Sequence, residues 1–157
     1  MPEKRAELTT EGGLDAAGSR GALAGTVRRL GDAGIVVSLF VDPDRRQIDA
    51  AVALGAPAIE LHTGTYCDAS GSAAERELER LVAGARYAQA AGLQVNAGHG
   101  IHTGNVDGIL RMPHLHTLNI GHSIVSRAVL VGMRRAVAEM LKAMRRYRGG
   151  STEEGGE

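Results

Sequence analysis

Apolar positions along the chain fall into two alternating patterns. Four short apolar runs each follow a helix-like segment that ends in Gly or in a Pro-containing turn: Ile35–Val41, Ala58–Leu61, Leu93–Asn96 and Leu115–Ile120. The first is nearly continuous and rich in β-branched residues, as expected for a strand buried on both faces. Between the runs the spacing turns helical. Leu23, Val27 and Leu30 fall at i, i+4 and i+7, and Gly34 sits just past them. Ile48, Ala51 and Val52 mark a second helix, with Asp44 as its cap, Gln47 three residues on and Gly55 as its stop. Ser72 and Glu75 read as a capping box for a third helix carrying Leu78, Leu81, Val82 and Ala85, with Gly92 beyond it. A short segment holds Val106, Ile109 and Leu110. The last helix is predicted to be the longest. Its stripe of Val125, Val129, Met133, Val137, Met140, Leu141 and Met144 reads as core packing. Strand and helix alternate throughout, which predicts a parallel β/α architecture, either a doubly wound sheet or a (β/α)8 barrel. The segment 149–157 has no apolar residue and is expected to be disordered.

Composition removes several classes of function. Eighteen basic residues balance 18 acidic ones, so there is no cationic excess for phosphate-backbone binding, and no nucleic-acid partner is expected. Phe40, Tyr66, Tyr87 and Tyr147 are too few and too scattered to stack single strands. No apolar run reaches the roughly 18 residues of a membrane span. The opening residues Met1–Arg5 are polar, and a cytoplasmic protein with no membrane partner is expected. Cys67 is the sole cysteine, which excludes disulfide scaffolds and cysteine metal clusters.

The 22 glycines, about twice the usual share of roughly 7%, locate the chemistry. Polar residues gather directly after each predicted strand: Asp42, then His62-Thr63-Gly64, then Asn96-Ala97-Gly98-His99-Gly100, then Gly121-His122-Ser123. Three of the six histidines occupy equivalent strand ends, and in β/α folds those ends form the active-site face. His99 between two glycines can approach a ligand and exchange a proton near neutral pH. The plainer alternative is a turn histidine. Gly121 and His122 open a helix and suit an anion, while Ser123 could simply cap that helix. Glu60 is a carboxylate inside an apolar strand, which calls for either a function or a cationic partner. Thr9-Thr10-Glu11-Gly12-Gly13 is a loop able to meet a ligand hydroxyl. His114-Leu115-His116 reads as structural rather than metal-binding, His102 receives no role, and Cys67 reads as a non-catalytic thiol. Arg134, Arg135, Arg145, Arg146 and Arg148 read as a solvated helix face.

Six motifs in order carry a resemblance: Pro2-Glu3-Lys4-Arg5, Thr9–Asp15, Val37–Asp42, Ile59–Gly64, Asn96–Gly100 and Leu118–His122. The set resembles the pyridoxine 5'-phosphate synthase family of vitamin B6 biosynthesis, from Pro2 to about Gly149. The resemblance implies a (β/α)8 barrel, homo-oligomers (octamers in the family) and no metal or organic cofactor. It implies condensation of 3-amino-2-oxopropyl phosphate with 1-deoxy-D-xylulose 5-phosphate to give pyridoxine 5'-phosphate, phosphate and water. It also implies His99 as proton donor and Glu60 as transition-state stabiliser. Gly100, Gly121 and His122 would then contact the amino-ketone phosphate, and Thr9 the deoxyxylulose phosphate. The alternatives are another phosphate-handling barrel enzyme, or a non-catalytic homologue that binds phosphate or co-assembles with a complete copy.

Length bears on this resemblance. A (β/α)8 barrel takes about 250 residues, roughly 31 per unit, so 157 amount to about five units. The expectation is that residues 1–148 hold the C-terminal part of a barrel, about units 4–8, without the first three units and most of strand 4. The family motifs Asn-x-Asp-His, His-Leu-Arg-Glu-Asp and Asn-Leu-Glu-Met-Ala, two of which supply proton acceptors, do not occur in these 157 residues.

Overall fold

A computed structural model of the chain describes residues 12–149. Thr9 and the tail beyond Gly149 lie outside the described residues. The elements alternate in chain order: α1 (Arg20–Asp32), β1 (Ser38–Val41), α2 (Arg45–Ala53), β2 (Ala58–His62), α3 (Gly64–Asp68), α4 (Gly71–Ala90), β3 (Gln94–Gly98), α5 (Val106–Ile109), β4 (Leu115–Asn119), α6 (His122–Val131) and α7 (Met133–Met144).

Local chemistry sets the boundaries. Gly34, Gly55 and Gly92 all adopt positive φ two residues after a helix. After α2, the Gly55 N–H donates to Val52 O at 2.9 Å and the Ala56 N–H to Ala51 O at 3.2 Å. That is the paired bonding of a Schellman stop, and α1 and α4 end the same way. Asp44 caps α2 as expected, its Oδ1 accepting from the Gln47 N–H at 3.0 Å. The expected capping box of α4 is absent. Ser70 precedes the helix, Ser72 lies inside it, and Glu75 pairs instead with Arg111 at 2.6 Å. Gly71 at φ 56° starts the helix one residue before Ser72, so the Ser72 hydroxyl has no end-of-helix N–H to accept from.

The four strands form one parallel sheet in the order β1-β2-β3-β4. A doubly wound sheet reverses its strand order at a switch point. A sequential order with intervening helices is the barrel type of winding, and the described residues hold a four-strand arc of it. The register aligns Phe40, Glu60 and Asn96 across the first three strands and Thr117 on the fourth, after a bulge between Val95 and Asn96. Cα partners in a parallel pair share a face, so the sheet has two distinct sides. Leu39, Val41, Ile59, Leu61, Val95 and Ala97 are all buried on one side. There they meet Ile48 and Ala51 of α2 and Leu78, Leu81, Ala85 and Ala88 of α4 in one core. The other side carries Ser38, Phe40, Glu60, His62, Gln94, Asn96, Thr117 and Asn119. The first apolar run is therefore not buried on both faces. Val37, Leu39 and Val41 are buried, Ser38 is exposed, and Ile35 and Val36 lie exposed before the strand, because helices cover only one face of β1. In α1 the predicted stripe is shallow: Val27 is buried and Leu30 lies exposed.

The expected long last helix is two helices. Gly132, at φ 82° and ψ 150°, breaks the chain between α6 and α7. The apolar stripe is split with it. Met140 is buried, while Val129 is 82% exposed and Val125 and Met133 are also exposed. The longest helix is α4.

Two substitutions test this assignment of core and surface. Leu61→Ala, at a fully buried side chain, should cost about 2–5 kcal/mol in urea unfolding followed by circular dichroism. Val129→Ala should change stability by less than about 0.5 kcal/mol. Equal losses would contradict the division of the stripe.

Candidate active site at the strand ends

Because the strands are parallel and in register, their C-terminal ends lie side by side. His62 is the Cα partner of Gly98, and Gly98 of Asn119. Asp42 follows β1 directly. Its Oδ1 lies 3.0 Å from His62 Nδ1. That hydrogen bond is the main reason the Asp42 carboxyl sits below its ordinary value of 3.8. The His62 ring packs edge-on against Phe40 at 5.1 Å and faces the His99 ring at 5.1 Å between centroids. His62 and His99 line a depression of about 530 Å³, together with Gly12, Gly64, Thr65, Asp68 and Ala69.

His99 has φ 84°, a region that costs a non-glycine residue about 1–3 kcal/mol. The local backbone is clamped from below. The fully buried Thr63 hydroxyl shares its single proton between Gly98 O, at 2.7 Å, and His99 O, and the Thr63 N–H donates to Gly98 O at 3.0 Å. The Cys67 thiol lies 3.5 Å from His99 O. Burial pushes that thiol up from its ordinary value, so it stays protonated and is a poor nucleophile, in keeping with the non-catalytic reading.

Glu60 lies two residues before His62 on the same face. The sequence offered a function or a cationic partner for it. What holds it is the Asn119 amide, which donates to Oε2 at 2.7 Å. Its other oxygen occupies room that only a glycine leaves. A Cβ on Gly98 would fall 2.1 Å from Glu60 Oε1.

Gly121 and His122 stand exposed at the start of α6, where free backbone N–H groups favour an anion. Ser123 does not cap this helix. It is the second helical residue, and its hydroxyl donates to Ile101 O at 2.6 Å. That bond ties the start of α6 to the loop after β3, next to the exposed Gly100. Asn105 braces the same loop by donating to Gly100 O at 3.1 Å. Thr9 lies outside the described residues. Among the described residues, Gly12 lines the depression and the Leu14 N–H donates to Phe40 O at 2.7 Å.

Of the remaining histidines, His102 and His116 have local partners. The Gly104 N–H donates to His102 Nδ1 at 3.0 Å, and His116 Nδ1 lies 2.9 Å from Thr117 Oγ1. Among the described residues, no group of three or more His, Cys, Asp or Glu side chains converges as a metal site would require. None of their helices is long and apolar enough to cross a membrane. Two members of the site received no role from sequence: Thr63, named only as part of His62-Thr63-Gly64, and Asn119. The period-2 spacing that puts Thr117 and Asn119 on one face of β4 is a signal that could have found Asn119.

The family model described as "Pyridoxal phosphate biosynthesis protein PdxJ" matches residues 1–146. The chain belongs to this family. It is 55% identical over 141 residues to a protein of Photobacterium profundum named pyridoxine 5'-phosphate synthase, covering 89% of the chain and 58% of that relative. It is 57% identical over 146 residues to a protein of the same name from Magnetococcus marinus, covering 92% of the chain and 60% of the relative. The chain thus spans about three fifths of the length of these relatives.

The Asp42–His62 bond predicts a pH signature. Asp42 is lowered in the folded state, so its contribution to stability is present above the ordinary carboxylate value and is lost as pH falls through the lower, folded one. The carboxylate is half exposed, so the effect is modest. The stability gap between wild type and Asp42→Asn should be steady above about pH 5 and close toward about pH 2 in urea unfolding. A gap that persists undiminished at the acid end would contradict the assignment.

Proposed function

We propose that the chain carries one part of a pyridoxine 5'-phosphate synthase site. The reaction is the condensation of 3-amino-2-oxopropyl phosphate with 1-deoxy-D-xylulose 5-phosphate. The observation that carries this reading is the meeting of His62, His99 and the Asn119-held Glu60 at one end of the sheet, in a chain at least 55% identical to two proteins of that name.

In this reading each residue has a chemical task. The α6 N-terminus, with Gly121 and His122, and the adjacent Gly100 hold the phosphate of the amino ketone. Thr9 meets the deoxyxylulose phosphate. An amine adding to a ketone must lose the former carbonyl oxygen as water. His99 donates the proton that makes hydroxide into that leaving water. The intermediates that follow carry positive charge, and the Glu60 carboxylate, fixed by Asn119, offsets it. No metal or organic cofactor takes part in this scheme. The family-type homo-oligomer belongs to the same reading. The proton acceptors, whose motifs are absent from these 157 residues, would come from additional polypeptide, either upstream sequence or a complete homologue.

Complementation of a vitamin B6 auxotroph tests the reading. The chain alone is compared with the chain joined behind the N-terminal two fifths of the Photobacterium profundum relative. The joined protein should restore growth, and His99→Ala in it should lower turnover at least about 100-fold. Failure of the joined protein to restore growth would remove the synthase reading. Near-normal turnover of His99→Ala would remove the proton-donor role.

A further inference from the structure

The proposed reaction does not use His62, yet the site is built around it. Its Nδ1 lies 3.0 Å from Asp42 Oδ1. An ionised carboxylate only accepts hydrogen bonds, so Nδ1 carries the ring proton and Nε2 of the neutral ring presents a bare lone pair. That Nε2 is buried and, among the described residues, is the one buried side-chain nitrogen or oxygen without a hydrogen-bond partner. A buried acceptor left empty is costly, and such groups in native proteins call for a partner that binds there.

Gly64 stands directly against Nε2, where no side chain would fit. A Cβ on Gly64 would lie 2.5 Å from His62 Nε2 and 3.0 Å from His99 Cδ2. Phe40 walls the other side, edge-on to His62 and 6.4 Å from His99. Both histidines line the same depression. An orphan acceptor, a fixed tautomer and a depression lined by both His62 and His99 together mark Nε2 as the acceptor for a donor group on a ligand bound there.

We propose that His62 is a second proton-handling residue of this site. Its Nε2 accepts a hydrogen bond, and then a proton, from an O–H or N–H group beside the reacting carbonyl of a phosphorylated substrate. Asp42 is the positioning residue that holds the ring. The inference rests on the synthase reading for the identity of the substrate. The step moves one proton and no other atoms. The substrate O–H or N–H bond breaks and its electron pair stays on the substrate. Nε2–H forms, and the imidazolium charge is balanced by Asp42. The proton returns to water when the product leaves.

Two measurements test it. The first needs no reaction. Long-range proton–nitrogen NMR of the chain labelled with ¹⁵N-histidine, at about pH 8, should show His62 as the Nδ1–H tautomer, changing to Nε2–H in Asp42→Ala. An Nε2–H ring in the wild type overturns the proposal. The second uses the joined protein that restores growth. His62→Ala should lower kcat about 100-fold with KM within about threefold and an unchanged melting temperature, and added imidazole should restore part of the rate. A kcat within about threefold of wild type overturns the proposal. If the joined wild type makes no pyridoxine 5'-phosphate, the synthase reading has failed, and the tautomer measurement alone decides for or against His62.

Discussion

The parallel register of β1 to β4 is the constraint on which the rest of the structure depends. Sequential pairing lets every strand run the same way, so all four C-terminal ends meet along one rim. The same register separates the side chains into two populations. Leu39, Val41, Ile59, Leu61, Val95 and Ala97 face the helices and supply the core. Ser38, Glu60, Asn96 and Thr117 fall on the other side, with His62 and Asn119 at its rim. A slip of one residue in any strand would exchange the two populations. In β2 it would bury Glu60 among the helices and expose Ile59 and Leu61. The apolar side therefore fixes the position of the polar one.

Strain at the rim is tolerated because buried groups hold it. His99 occupies a backbone region that an ordinary residue avoids. Thr63, fully buried, grips the Gly98 and His99 carbonyls, which flank the His99 Cα. Gly98 in turn leaves room for the Glu60 carboxylate, which Asn119 holds from the next strand. Glu60 is thus fixed by an uncharged neighbour rather than by a cation, and Asp42 and His62 hold each other.

Much of this was legible in the sequence, and the illegible parts have physical causes. The stops at Gly34, Gly55 and Gly92 were visible because a helix end commonly needs a left-handed residue, which glycine supplies. The Asp44 cap was visible because it acts within one turn. The break at Gly132 was hidden, because the apolar spacing continues in phase on both sides of it. Burial on one face of β1 was also hidden, since a β-branched run reads alike whether one or both sides are covered. The gathering of His62, His99 and Glu60 at strand ends followed from chain position alone. The contacts that hold them, Thr63 to His99 and Asn119 to Glu60, join residues 36 and 59 positions apart, and local patterns carry no signal for them.

The strand register and Asn119 hold Glu60 at a fixed place on the rim of the sheet. Gly98→Ala tests it most directly, because the added Cβ would fall 2.1 Å from Glu60 Oε1 while leaving every polar group of the site in the chain. The measurement is calorimetric titration of pyridoxine 5'-phosphate into the joined wild-type and Gly98→Ala proteins. The account predicts one binding site per chain in the wild type and at least about a tenfold loss of affinity in Gly98→Ala, about 1.4 kcal/mol. Equal affinity in the two proteins would contradict it.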